Sequence, residues 1–168
     1  MNVLIANRQR TRKIHSSQLR RIVSDLLAEL EVGEAQLGIN LVSDREMTSL
    51  NETFLQHEGT TDVITFNYAR KTAFNVRTAR PRAVKAATRG RAARAPLHGE
   101  VFVCVDEAIL QAGKFKTTWQ SEVVRYIVHG VLHLLGYDDL DPAARRRMKR
   151  AENRLLRKLS RRFALSKL

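Results

Sequence analysis

Apolar side chains recur along the chain at two spacings, one typical of β-strands and one typical of α-helices. Residues 2–6 form a short apolar run and residues 37–42 alternate in character, so both segments predict strands. Between them, aliphatic residues three and four positions apart predict an amphipathic helix with Ser16 or Ser17 as its N-cap. These aliphatic residues are Leu19, Ile22, Val23, Leu26, Leu27 and Leu30.

A capping signal and two β-branched runs predict the structure of the middle of the chain. Ser43 and Glu46 have the spacing of a capping box, which predicts the start of a second helix. The inner face of this helix is predicted to carry Met47, Leu50 and Phe54. Residues 62–66 and 99–103 are rich in β-branched and aromatic side chains and predict a third and a fourth strand.

Three further helices are predicted after the fourth strand. The first covers residues 106–115, and the second is capped by Thr117 or Thr118. The second helix is apolar on almost every face, which predicts a central, buried position. Its apolar residues are Val123, Val124, Ile127, Val128, Val131, Leu132, Leu134 and Leu135. Asp141 caps the last helix, which runs from a proline at its first position to about residue 163.

This order of elements predicts an α+β fold, in which a small mixed four-stranded sheet packs against about five helices. At 168 residues, the chain is predicted to be a single domain over residues 1–168. Residues 68–98 show no amphipathic period and contain Pro81 and Pro96. We therefore expect this basic segment to be a flexible insertion within the domain.

The charge of the chain points to a polyanionic partner. Thirty Lys and Arg residues against 17 Asp and Glu give a net charge of +13. Nine of the cations lie between Asn67 and Gly99, where no acidic residue occurs, and a second basic run covers residues 145–162. Such a field attracts nucleic acid. A solvated surface without a partner remains the alternative for either run.

Three features indicate where the protein works. No run of about 18 apolar residues occurs, so neither a membrane span nor a membrane partner is expected. The charges near the N-terminus follow a very short apolar run, the reverse of a signal peptide. Cys104 is the single cysteine, which excludes a disulfide framework and a thiolate zinc cluster. We therefore expect a cytoplasmic protein.

Two histidines in the second of these C-terminal helices predict a metal site. His129 and His133 are four positions apart, so their rings project from one face of the helix. Gly136 allows a left-handed or tight turn that can carry Asp139 back toward the histidines. Two imidazoles and a carboxylate, with a fourth position left to water, are typical of one catalytic zinc ion. Satisfied core histidines are the alternative, but a metal hydrolase is the favoured interpretation.

Together, several segments resemble the YbeY family of bacterial endoribonucleases. These segments are Leu50-Asn51, Thr61-Asp-Val-Ile-Thr-Phe66, Gly99-Glu-Val, Gln111-Ala112 and His129-Gly-Val-Leu-His-Leu-Leu-Gly-Tyr-Asp138. The resemblance implies a single-strand-specific, metal-dependent endoribonuclease of the cytoplasm. It also implies a role in late 16S ribosomal RNA maturation and ribosome quality control, with a ribosomal subunit or assembly proteins as partners. Zinc would be held at His129, His133 and Asp139.

The chain departs from the family pattern at three places. Asp139 stands where the third ligand is usually histidine, and Leu55 stands where many members have arginine. The basic segment at 68–98 is also longer than the family leads us to expect. An aspartate is a competent zinc ligand. If the family's arginine helps to hold the scissile phosphate, either another cation replaces it in this chain or the activity is weaker.

The general base is left open by the sequence. Asp62, Asp138 and Glu100 are candidates, although each could instead orient a ligand or support the fold. Either a water molecule or the 2′-hydroxyl of the RNA could be the nucleophile. Aromatic residues are few, so we expect salt-sensitive binding to the RNA backbone, with Phe74, Tyr68 and Tyr137 as the available stacking platforms.

Two other functions compete with the nuclease. The spacing of His129, His133, Gly136 and Asp139 is similar to that of zinc peptidases of the metzincin type. Those enzymes need a glutamate directly after the first histidine, where this chain has Gly130. The other alternative is a non-catalytic RNA-binding factor of ribosome assembly with a structural zinc. A fourth protein ligand would favour that factor, and an open position on the metal would favour the enzyme.

Overall fold

The computed structural model describes residues 1–68 and 96–168 and confirms the predicted α+β class. In chain order the elements are β1 (Asn2–Asn7), α1 (Ser16–Glu29), β2 (Ala35–Val42), α2 (Asp44–Leu50), β3 (Val63–Asn67), β4 (Leu97–Cys104), α3 (Val105–Phe115), α4 (Trp119–Leu134) and α5 (Pro142–Arg162). A π-helical turn at Asn51–Leu55 follows α2, and a 3₁₀ turn at Leu165–Lys167 follows α5.

The four strands form one mixed sheet in the order β1-β2-β4-β3. β1, β2 and β4 are parallel, and β3 pairs with β4 in the antiparallel direction. Leu37 on β2 lies opposite Val3 on one side and Gly99 on the other. The small mixed sheet predicted from the order of elements is thus confirmed.

The alternation of side chains along the strands divides the core between the two faces of the sheet. The larger cluster includes the odd-numbered residues of β2 and β4 and packs against α1 and α4; these residues are Leu37, Ile39, Leu41, Leu97, Val101 and Val103. The even-numbered residues point to the other face, where the smaller cluster joins Met47 of α2 to Val42, Ile64, Phe102 and Cys104. Side-chain parity on β4 therefore decides which residues can face α4.

α4 is the central helix of the larger core, as its apolar sequence predicts. Gly130 packs directly on β4, because a Cβ atom built at this position would lie 2.6 Å from Cγ1 of Val101. Close approach of this face to the sheet leaves the polar face of α4 to the neighbouring helices. In the part of the chain that the structure describes, none of the helices has both the length and the apolar character needed to cross a bilayer.

The helix starts agree with the sequence at three of four positions. Ser43, Thr118 and Asp141 each cap their helices by accepting hydrogen bonds from backbone amides two or three residues ahead. The serine cap predicted for α1 is wrong, since the N-cap is His15 and Ser16 already lies in the first turn. The helix starts there because the His15 carbonyl already accepts the Leu19 amide.

Two other details differ from the expectations. Phe54 does not lie on the inner face of α2, which ends at Leu50, and its side chain is 59% exposed. The π-helical turn that follows winds more widely than an α-helix and rotates Phe54 off the buried face. β4 begins at Leu97, two residues before the predicted start, and the Tyr68 amide donates to the His98 carbonyl. The remainder of the basic segment, residues 69–95, lies outside the described residues.

Candidate metal centre

The turn after α4 returns the chain toward the two histidines. Gly136 has a φ of +89°, in the left-handed region that glycine tolerates best. Its amide donates to the His133 carbonyl (2.9 Å) and the next amide, of Tyr137, donates to the Leu132 carbonyl (3.0 Å). This pair of bonds is a Schellman motif, which ends the helix as the sequence predicts.

A carboxylate stabilises the conformation of the turn just before Asp139. Oδ1 of Asp138 accepts the backbone amides of Asp139 (2.7 Å) and Leu140 (3.0 Å). These bonds fix the backbone from which the Asp139 side chain projects. Asp138, one of the candidate bases, therefore has one carboxylate oxygen occupied by the turn.

The structure brings all three predicted ligands together. The Nε2 atoms of His129 and His133 are 3.0 Å apart, and Oδ2 of Asp139 lies 3.9 Å from the first and 4.0 Å from the second. One ligand atom from each residue falls within 4.8 Å of the others. Among the described residues, these three form the group of histidine, cysteine and carboxylate side chains placed to hold a metal ion.

The hydrogen bonds behind the two rings fit a metal ion in front of them. Nδ1 of His129 lies 3.3 Å from Oε2 of Glu152, and Nδ1 of His133 lies 3.1 Å from the Tyr137 carbonyl oxygen. Since each Nδ1 faces an acceptor, it carries the proton and its Nε2 presents a lone pair. Two lone pairs 3.0 Å apart repel each other unless a proton or a cation lies between them. The donor set therefore suits a divalent metal.

Glu152 is the important residue that sequence reasoning missed. Its side chain is 4% exposed, and its Oε1 accepts hydrogen bonds from Nη1 of Arg125 (2.7 Å) and Nζ of Lys149 (3.3 Å). Burial raises the pKa of Glu152, but hydrogen bonds from His129 and Arg125, with the nearby positive charges, outweigh it and lower the pKa to about 2. Glu152 is therefore an anion that holds the His129 ring.

A signal for Glu152 was present in the sequence. It is the one acidic residue of α5, and it lies on the buried stripe of that helix. The other members of the stripe are Ala144, Met148, Ala151, Leu155 and Leu159. A carboxylate on an otherwise apolar helix face needs a buried partner, which here is the His129–Arg125 pair.

The metal group opens onto a cleft of about 820 Å³. The cleft is lined by residues of α3, α4 and α5, and by two loops that contribute Thr60–Asp62 and Asp139. α4 contacts both α3 and α5 and forms the floor between them. The side chains of His129, His133 and Asp139 are 24%, 28% and 39% exposed, so a substrate can reach the group.

Comparison with known proteins decides the family. The family model described as Endoribonuclease YbeY matches residues 4–160. The chain belongs to this family. Endoribonuclease YbeY of Chlorobium phaeovibrioides is 32% identical over 94% of this chain and 90% of that protein, and its namesake in Salinibacter ruber is 29% identical over 87% and 84%. The resemblance noted in the sequence is thus confirmed.

A solved structure supports the fold. The solution structure of TM1509 from Thermotoga maritima has a TM-score of 0.59 to this chain at 21% identity, covering 94% of this chain and 88% of that one. At this level of identity, the match concerns the arrangement of helices and strands. It agrees with the mixed sheet and the helices described above.

The candidate bases of this YbeY-family chain lie in different places. Asp62 lines the cleft, and its Oδ1 accepts the Val63 amide (2.9 Å) and the Thr61 hydroxyl (3.2 Å). Glu100 has the other parity on β4, so it points away from α4 and accepts the hydroxyl of Tyr68 (2.6 Å). It lines a separate cleft of about 310 Å³. The structure therefore places Asp62 in the same cleft as the metal group and Glu100 elsewhere.

Leu55, Tyr68 and Tyr137 also lie away from the main cleft. Leu55 is 46% exposed in the π-helical turn, and it is not among the residues that line this cleft. Tyr68 lines the second cleft, and Tyr137 packs against the main core. Phe74 lies outside the described residues. Among the residues that the structure describes, cations and aromatic side chains near the metal group therefore come from other positions.

Proposed function

We propose that this protein is a zinc-dependent endoribonuclease that cuts single-stranded RNA. The observation that carries the proposal is the convergence of two lone-pair-bearing Nε2 atoms and the Asp139 carboxylate at an accessible cleft in a chain of the YbeY family. The names of the relatives specify an endoribonuclease, which makes RNA the expected substrate. We further propose the cytoplasm as its location. Late 16S ribosomal RNA maturation and ribosome quality control are the proposed processes, with a ribosomal subunit or assembly proteins as partners.

In this mechanism, the side chains of His129, His133 and Asp139 would hold the ion. One zinc bound there would supply a Lewis acid that polarises a phosphoryl oxygen and makes a nearby water more acidic. Glu152 and the Tyr137 carbonyl keep the Nδ1 protons in place, so both Nε2 atoms remain free to bind. Of the candidate bases Asp62, Asp138 and Glu100, Asp62 is the one that lines this cleft. It is therefore the best placed of the three to accept a proton, either from water or from a 2′-hydroxyl.

The accessible cleft favours an enzyme over a structural metal site. A structural zinc is usually enclosed by four protein ligands, whereas a catalytic zinc keeps a position for water or substrate. Within the described residues, the group contains three ligands, whose side chains are about a quarter or more exposed. The peptidase alternative loses support at Gly130, where contact with Val101 leaves no room for the glutamate that peptidases place there.

The test pairs metal content with cleavage in the wild type and in Asp139→Ala. The substrate is an RNA hairpin with a single-stranded tail, and the matched control is Glu52→Ala, an exposed carboxylate outside the cleft. We expect the wild type to carry one zinc per chain, as measured by mass spectrometry, and to cut the tail. Asp139→Ala should lose both properties, whereas Glu52→Ala should keep them. Zinc retained by Asp139→Ala, or a wild type that binds zinc and RNA without cutting, would contradict the proposal.

A further inference from the structure

The two walls of the cleft have different chemistry. α5 contributes Arg145, Arg146 and Lys149, which lie on its first turns at positions i, i+1 and i+4. α3 contributes Glu107, Gln111 and Phe115, spaced four residues apart along one face. One wall is therefore cationic, whereas the other offers a carboxylate, an amide and an aromatic ring.

The cations of α5 are placed beside the metal group. Nε of Arg145 donates to the backbone oxygen of Asp139 at 3.2 Å, which holds this guanidinium next to the third ligand. Lys149 contacts Glu152 but remains 61% exposed. Arg146 is exposed, and its side chain forms no hydrogen bond or ion pair within residues 1–68 and 96–168. The single negative charge of Glu152 is shared between Arg125 and Lys149. The α5 wall therefore keeps a net positive charge that can bind an anionic ligand.

Phe115 is an exposed aromatic side chain that lines the cleft. Its side chain is 69% exposed at the last residue of α3, although a phenyl ring at the surface is normally better buried. Tyr126 also lines the cleft, but it is 6% exposed and belongs to the core. Gln111 donates to Glu107 one turn away from Phe115 along the same wall, so polar atoms adjoin the ring.

We propose that a single-stranded RNA lies along this cleft with its phosphates against Arg145, Arg146 and Lys149, and with one base stacked on Phe115. The inference rests on the proposed function and names the residues that hold the substrate. Phosphate contacts position a strand, while stacking on an exposed ring accepts any base. In a duplex the base is covered by its neighbours, so Phe115 would also disfavour double-stranded RNA.

The experiment tests the contribution of each wall separately, with two RNA probes of equal charge. Binding of a fluorescein-labelled 2′-O-methyl oligouridylate and of an abasic strand with the same number of phosphates is measured by anisotropy over a range of salt concentrations, with zinc present. Phe115→Ala should weaken binding of the base-bearing strand by about 5- to 150-fold, as expected for one lost stacking contact. Binding of the abasic strand should not change. Phe115→Leu should behave in the same way, because leucine restores apolar volume without a ring.

Arg146→Gln should have the opposite signature. It should weaken binding of both strands equally and reduce the slope of log affinity against log salt by about 0.7, the value for one phosphate contact on a single strand. Matched controls on the same helices are Leu110→Ala, which is exposed outside the cleft, and Arg161→Gln, a cation near the other end of α5. Both should bind as the wild type does.

The outcomes distinguish this inference from the proposed nuclease. If Phe115→Ala weakens both strands equally, or Arg146→Gln has the same salt slope as Arg161→Gln, the assignment of the walls is wrong. Cleavage of unmodified RNA by the wild type is measured in parallel. Cleavage without the binding effects would overturn this inference alone. The binding effects without cleavage would overturn the proposed function and leave the assignment of the walls intact.

Discussion

The contact between Glu152 and His129 predicts that a residue outside the ligand set controls metal affinity. Replacing Glu152 by glutamine keeps the shape of the side chain but removes the negative charge that accepts the Nδ1 proton of His129. Loss of such a partner commonly lowers metal affinity about 10- to 100-fold. This corresponds to about 1.4–2.7 kcal/mol.

The same substitution affects stability through Arg125. A hydrogen bond to a charged group contributes about 1.5–3 kcal/mol, and Arg125 loses one such bond, from its Nη1. The loss should fall at the lower end of this range, because Arg125 also contacts Glu122 and is 29% exposed. The free energy of unfolding of the metal-free protein should therefore decrease by about 1.5 kcal/mol.

The matched control is Glu122→Gln. Glu122 is also buried and its side chain contacts Arg125 (3.3 Å) and Thr117 rather than a histidine. This variant should lose stability without losing zinc affinity. Affinity is measured by competition with a chromophoric chelator, and the His129 tautomer is read from the imidazole nitrogen shifts in NMR spectra. Equal zinc affinities for Glu152→Gln and Glu122→Gln would refute the reasoning.

Three further predictions follow from other parts of the structure. The pKa of Glu152 is lowered from 4.5 to about 2, so its ionisation stabilises the fold above pH 4.5, and this stabilisation is lost as the pH falls from 4.5 to 2. Acid denaturation of Glu152→Gln should therefore lack the corresponding pH dependence. Gly130→Ala should lower the free energy of unfolding, measured by chemical denaturation, by about 1–3 kcal/mol because the added Cβ clashes with Val101. Gly113→Ala is the control and should not lower it, because a Cβ at this position meets no atom within 4 Å. Gly136→Ala should lower the free energy of unfolding by about 1–2 kcal/mol, because Gly136 has a φ of +89°, and it should also weaken zinc binding. An unchanged free energy of unfolding would show that the turn relaxes to another conformation.

The parts of the site that the sequence predicted are those set by local geometry. His129 and His133 share a helix face at a spacing of four, and Gly136 ends the helix within one turn, so the position of Asp139 follows from a short stretch of chain. Glu152 is 23 residues from His129 and meets it through the packing of α5 on α4. That packing angle depends on the whole core, and the sequence alone predicted only that both helices exist.

Other differences have equally specific causes. The position of Glu100 depends on strand parity, since Val101 and Val103 face the larger core and their neighbour must point the other way. The alternation of apolar residues along β4 therefore predicts that Glu100 points away from α4. Phe54 was misplaced because the π-helical turn after Leu50 changes the helical period, which an apolar pattern of three residues does not reveal.

The two faces of α4 explain why the fold and the site depend on each other. On one face, Gly130 lets the helix lie against β4, and the apolar residues around it form the centre of the core. On the other face, Arg125 and His129 both need the buried carboxylate of Glu152 on α5. The contact that helps dock α5 is therefore also the one that sets the His129 tautomer. Binding of zinc should thus stabilise the packing of α5 on α4, because an ion that binds the folded state shifts the folding equilibrium toward it.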